Sequence, residues 1–330
     1  MNYSTFAQHG FHLTPSREVA VSVVTLLTIG ILAGTLGNVA VCILLNRRRD
    51  LRKVPHFLLA SLSLTGLLSS LITMPVILGI AVVTYFPSHQ QWKVSLDMVC
   101  KTGFSSSMGL TAVNASTLTL MSIDRQDCVI RPLKRRLTPY NVKKVIFVVW
   151  IVPLLLAFVH GVMVSEGTFA CARLDPYSSQ HTNVTSRNQA LEVYTSVLGV
   201  TPNVVTVTVI AITRFRVVRK LRSSPLPRLN SLQRRRENEL TKLTYKICSI
   251  FLISWFPVVI YKTVHHIGDF HGPVIQTIEL FAMVTSNFIY VANPFLHYKM
   301  LRVRSPNRFF RIITRSWNVV ADNNVATTAI

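Results

Sequence analysis

Five times along the chain, Asp, Glu, Lys and Arg disappear for about the 20 residues that a helix needs to cross a bilayer. The uncharged runs are 19–45, 57–86, 102–123, 145–165 and 193–213. Two shorter uncharged cores follow, 247–261 and 280–296. Their flanks extend them, because Lys246 and Lys262 can reach the interface on long stems and Glu279 can face a cavity. Lipid offers backbone groups no partners, so helices that bond internally are the solution. The expectation is an all-α membrane protein, a seven-transmembrane helix bundle. Only 15% of the 330 residues are charged, where a soluble domain carries roughly a quarter.

Lys and Arg set the orientation. With seven spans, every basic residue falls on one side except Arg17, Lys93, Lys101, Arg173, Arg187 and Lys262, out of 35. The rich side is cytoplasmic, so the N-terminus is outside and the chain is a multi-pass protein of the plasma membrane. The net charge of +22 is then a topology signal and an attraction to anionic inner-leaflet lipid, with no nucleic-acid partner implied. No basic stretch or short apolar core marks a cleaved signal peptide, so the first run reads as a retained span. The organisation is an outer tail at 1–18, a membrane domain at 19–297, and a cytoplasmic amphipathic helix and tail at 298–330. The loop between spans five and six, with RSSPLPRLNSLQRRRENE, reads as polar and partly disordered. In the tail, Phe309, Phe310, Ile313 and Trp317 alternate with Arg308, Arg311 and Arg315. That pattern suits a short eighth helix on the inner leaflet, with a disordered basic tail as the alternative.

Cys42, Cys128 and Cys248 fall on the reducing side. Cys100, at the outer start of span three, and Cys171, in the longest outer loop, face the compartment that permits oxidation. A disulfide between them would pin that loop over span three; two free thiols are the alternative. Asn183 and Asn2 head outer sequons and are candidate glycan sites, whereas the match at Asn114 lies inside span three.

Each span carries its own mark: Gly37-Asn38; LASLSLTGLL with Pro75; Trp92 before Cys100; Asp124-Arg125 with Pro132; Trp150; Pro202; Phe251 with Ser254-Trp255-Phe256-Pro257; Asn293-Pro294. In this order and spacing the chain resembles a rhodopsin-like (class A) G-protein-coupled receptor over essentially its whole length. The resemblance implies an extracellular ligand, a heterotrimeric G protein and outward movement of span six, with no cofactor. It assigns a switch to Asp124, Arg125, Glu237, Phe251, Trp255, Pro257, Asn293 and Pro294. Arg125 would pair with Asp124 and Glu237 at rest. Trp255 would pivot above Pro257, and Phe251 would pass the motion inward against Pro202 and Ala115. Matching positions of the ligand pocket are Ser107, Met108, Thr111, Trp255, Val258, Val259, Lys262, Glu279, Met283 and Asn287.

The chain also departs from the family pattern. Gly66 stands where an aspartate anchors sodium, and Ile210 and His297 stand where inner tyrosines are usual. Gln126 replaces an aromatic residue. These changes imply atypical coupling, such as elevated basal activity. Ser107 replaces the aspartate of amine receptors, and Asn287 replaces the lysine that holds retinal. A pump would need carboxylates in the cores of spans one to five, and none is there. No nucleophile triad, metal cluster or phosphate loop indicates an enzyme. A non-signalling scaffold, forming homo- or hetero-oligomers, is the alternative that Gly66, Ile210 and His297 keep open.

Overall fold

The computed structural model describes residues 17–47, 54–85, 93–131, 134–163, 187–223, 231–267 and 273–303. Side chains are described at 18, 21–46, 54–82, 102–131, 134–162, 201–220, 239–261, 278 and 281–297. These stretches form seven rods: α1 (Arg17–Arg47), α2 (54–85), α3 (Lys93–Ile130), α4 (Val142–Met163), α5 (Arg187–Ser223), α6 (Ser231–Ile267) and α7 (Pro273–Val303).

Polarity is inverted relative to a soluble protein. Leu36, Phe147, Phe158, Ile253, Phe256 and Phe295 are all at least 64% exposed. Asn38, Ser63, Thr65, Asn114, Thr117, Asn293 and His297 are 0% exposed. An apolar outside around a polar inside is stable where the surroundings are hydrocarbon. By length and composition, Val21–Asn46, Val54–Val82, Val142–Val162, Thr201–Lys220 and Glu239–Tyr261 can cross a membrane. At 38 and 31 residues, α3 and α7 are also long enough, and α3 is the more polar of the two. For α3 the reason is packing: Val113, Asn114, Ala115, Thr117 and Leu118 are 0% exposed. A rod enclosed by its neighbours needs no uniformly apolar surface.

Prolines shape the rods. In α2 the α-helix Val54–Leu68 widens into a π-helical turn, Ser69–Thr73, before resuming as Met74–Tyr85. Pro75 has no N–H, and its ring crowds the carbonyl four residues back. The extra residue accommodates it, and Met74 N–H bonds to Ser69 O, five residues back. Pro153, Pro202, Pro257 and Pro294 sit inside α4, α5, α6 and α7.

One expectation needs correcting. The polar stretch between spans five and six is helical in part, because α5 runs to Ser223 and α6 already begins at Ser231. Glu, Gln, Arg and Leu favour helix, and no proline follows Pro227 until Pro257. Glu237 and Phe251 therefore lie on one continuous rod, about 21 Å apart at 1.5 Å per residue. The proposed eighth helix lies outside the described residues, and α7 itself runs on past 297 to Val303.

Close helix contacts rest on glycine. A Cβ on Gly37 of α1 would meet the Pro294 ring of α7 at 2.7 and 2.9 Å. A Cβ on Gly79 of α2 would meet nothing within 4 Å. The ring cannot swing aside, so Gly37→Ala should cost about 1–3 kcal/mol in a thermal-shift measurement. Gly79→Ala should be neutral or stabilising by up to about 1 kcal/mol, the helix preference of alanine.

Candidate functional site

The inner end of the bundle, on the side that the Lys and Arg pattern assigns to the cytoplasm, holds a block of buried polar side chains at the end of α3. Asp124, Arg125, Gln126 and Asp127 are 1%, 2%, 6% and 1% exposed. The guanidinium of Arg125 is salt-bridged to Asp124 Oδ2 through Nη2, and its Nε donates to the same oxygen at 3.2 Å. A guanidinium here needs an anionic partner, because desolvating an unpaired charge is prohibitive. Glu237, the other expected partner, lies on α6, but its side chain is outside the described residues.

Cross-links tie α3 to its neighbours above this block. Thr119 Oγ1 lies 3.0 Å from Thr206 Oγ1, which donates to Ala115 O at 3.1 Å, joining α3 to α5. Ser122 Oγ lies 3.7 Å from Cys248 Sγ of α6. Ser61 of α2 accepts from Trp150 Nε1 at 2.9 Å and lies 3.2 Å from Thr117 Oγ1, so three helices meet at one hydroxyl. Ser105 Oγ and His160 Nδ1, 3.0 Å apart, join α3 to α4 nearer the other end. The serine and histidine partners were not legible beforehand, because nothing in the linear pattern pairs helices.

The other expected switch residues lie on α6 and α7. Phe251 is 0% exposed in the main core cluster with Ala115, Leu118 and Ile247, and Trp255 packs on that cluster. The Phe251 and Trp255 ring centroids are 6.2 Å apart. Asn293 is fully buried and Pro294 seats on Gly37. Ile210 is buried in the same cluster, and His297 Nδ1 lies 3.4 Å from Ser63 Oγ.

Around Gly66 the geometry is closed. Asn38 Nδ2 donates to Gly34 O at 2.8 Å and to Tyr290 O at 3.0 Å, bridging α1 and α7. A Cβ on Gly66 would meet that amide at 2.7–2.9 Å. The acids whose side chains are described are Glu18, Asp124, Asp127 and Glu239, and α2 holds no acid in its sequence.

Of the expected pocket, Thr111 is buried, and Ser107, Met108, Trp255 and Val258 are half-buried. Val259 is 39% exposed. Asn287 accepts from Ser69 Oγ at 3.1 Å and donates to Met283 O at 2.8 Å. Met283 packs on the Leu27, Ile77 and Ala81 cluster. The side chains of Lys262 and Glu279 lie outside the described residues. So do Cys171, Asn183, Asn2 and the side chain of Cys100. Cys42, Cys128 and Cys248 are unbridged.

The family profile "7 transmembrane receptor (rhodopsin family)" matches residues 37–297. The chain is 25% identical over 263 residues to "Rhodopsin, GQ-coupled" of Mizuhopecten yessoensis, covering 74% of this chain and 50% of that protein. It is 21% identical over 325 residues to neuropeptide FF receptor 1 of Rattus norvegicus, covering 90% and 70%. It is 24% identical over 249 residues to the histamine H2 receptor of Homo sapiens, covering 73% and 66%. The chain thus spans about half the length of the first relative and about two thirds of the others.

The closed geometry at Gly66 makes a test. Gly66→Asp, which restores the carboxylate of the family pattern, should force the Asn38 amide away from Tyr290 O. It should lower the melting temperature by several degrees, the effect of about 1–3 kcal/mol of overpacking. Gly66→Asp in an Asn38→Ala background should lose much less, read by thermal shift in detergent.

Proposed function

The chain belongs to the rhodopsin family of seven-transmembrane receptors, and from that premise we propose that it is a cell-surface receptor. In this reading an extracellular small molecule or peptide binds between the outer halves of the helices. A heterotrimeric G protein is activated from the cytoplasmic side when α6 swings outward. The observation that carries the reading is the buried Asp124–Arg125 pair at the inner end of α3. A paired charge beside a rod that carries Pro257 inside it is a two-state element in this reading, since breaking the pair and moving α6 are coupled events.

Packing supports a path from the pocket to α3. Trp255 lies against Phe251, and Phe251 lies in the cluster that includes Ala115 and Leu118 of α3. Pressure on Trp255 is therefore pressure on α3. The second anchor of Arg125 in this reading is Glu237 of α6, as the resemblance implies.

Ligand chemistry follows from what the pocket positions carry. Ser107 offers a hydroxyl where an amine would need an anion, which disfavours a biogenic amine. The amide of Asn287 has no nucleophilic amine for a Schiff base, which excludes covalent retinal at that position. Lys262 and Glu279 at the outer rim suit a charged or peptide ligand.

Gly66, Ile210 and His297 favour a second reading, a receptor-like partner that signals weakly or only in heteromers. Second-messenger output of the unliganded chain decides between the two. A bias change of about 1.4 kcal/mol moves a two-state equilibrium about tenfold. Glu237→Ala should therefore raise output several-fold, and Arg125→Ala should abolish it at equal surface expression. Equal output from the parent and both variants would support the scaffold.

A further inference from the structure

Two acids lie one turn apart on α3, and they do different things. Asp124 holds Arg125. Asp127, equally buried, faces the connection to α4. Its Oδ2 accepts the backbone N–H of Arg136 at 3.1 Å, and Arg136 Nε lies 3.7 Å from the same oxygen. The carbonyl of Arg136 then accepts from Asn141 Nδ2 at 2.8 Å. Asn141 and Thr138 cap each other: Thr138 N–H donates to Asn141 Oδ1 at 2.7 Å, and Asn141 N–H donates to Thr138 Oγ1 at 3.3 Å. This reciprocal cap opens α4. Leu137, between the two anchors, is 5% exposed in the core cluster. An unbroken relay of hydrogen bonds thus runs from Asp127 to the first turn of α4.

What the relay presents is a surface of one charge sign. Arg131, Lys134, Arg135, Arg136, Lys143 and Lys144 are exposed. Between 128 and 144 the sequence holds no acid. The two nearest acids are turned inward and used. Tyr140, 81% exposed, stands under Lys144, whose Nζ is 5.2 Å from its ring centroid.

We propose that Asp127 is the positioning residue for the cytoplasmic partner: it fixes the connection between α3 and α4 as a rigid cationic platform that docks an acidic surface of the heterotrimer. This rests on the receptor reading above. The division of labour is specific. Asp124 sets how often the switch opens, and Asp127 sets how well the partner seats. The main contact to Asp127 is a backbone N–H, so removing the Arg136 side chain leaves it in place. Removing the Asp127 carboxylate breaks it.

The test uses the full chain in lipid nanodiscs with purified heterotrimer, comparing parent, Asp127→Ala, Asp127→Asn and Arg136→Ala. Two quantities are read: amide hydrogen exchange across 131–141, and the rate of nucleotide exchange on the G protein against its concentration. Asp127→Ala should lose about tenfold in amide protection, the loss expected from one charge-assisted hydrogen bond. It should raise the half-saturating heterotrimer concentration about fivefold or more and leave the plateau rate unchanged. Arg136→Ala should keep amide protection within about twofold. Asp127→Asn keeps an acceptor oxygen and should fall between. It also covers the case in which the alanine variant fails to fold. Protection unchanged without the carboxylate would overturn the proposal. So would a loosened connection with unchanged half-saturation, or a fall in plateau alone. If the parent drives exchange on no heterotrimer, the receptor reading fails, and the hydrogen-exchange comparison still decides whether Asp127 fixes the connection.

Discussion

A guanidinium buried where water is scarce dictates the arrangement of everything near it. Arg125 is 2% exposed, and the carboxylate it lies against belongs to the adjacent residue. Taking such a pair out of water costs several kcal/mol per ion unless charge and hydrogen bonds are returned. The inner end of α3 is stable only while Asp124 stays in place and the neighbouring helices keep solvent out. The ties from Thr119 to Thr206 and from Ser122 to Cys248 hold α5 and α6 against this end of α3. A device of this kind has two stable conditions: sealed and paired, or opened and repaired by another partner. That bistability is what a signalling helix bundle requires.

The same scarcity of water explains the inverted bundle. With lipid outside, apolar contact between helices supplies little net drive, and close approach plus polar contacts must serve instead. Gly37 lets α1 seat against the Pro294 ring. The missing side chain at Gly66 makes room for the Asn38 amide, which bonds to α7. The family aspartate has thus been replaced by tight packing of three helices. At this place the structure has a contact between helices.

Much of this was legible in the chain itself. Uncharged runs locate α1 to α5, and shorter uncharged cores locate α6 and α7, because a bilayer permits nothing else there. Pro202, Pro257 and Pro294 mark their rods, and Asp124-Arg125 marks the end of α3. What was missed depends on partners distant in sequence. The π turn at Ser69–Thr73 could have been suspected from Pro75, but its width is a matter of local packing. The helical start of α6 at Ser231 was hidden by its polarity, which resembles that of a loop. The linear sequence assigns Asp127 no partner. Only the fold shows that its carboxylate reaches a backbone N–H nine residues on. For the pocket, the burial of Thr111 and the bonds of Asn287 are placed, while the rim residues Lys262 and Glu279 lie beyond the described side chains.

The central claim is that charge pairing at the end of α3 restrains the inner end of α6, and so its separation from α4. Pulsed electron–electron resonance between spin labels at Lys143 on α4 and Glu239 on α6, both exposed, measures that separation directly. The account predicts one dominant short distance in the unliganded parent. It predicts a second, longer population when Asp124 is replaced by Asn and the pair is weakened. The same single distance in both would contradict it.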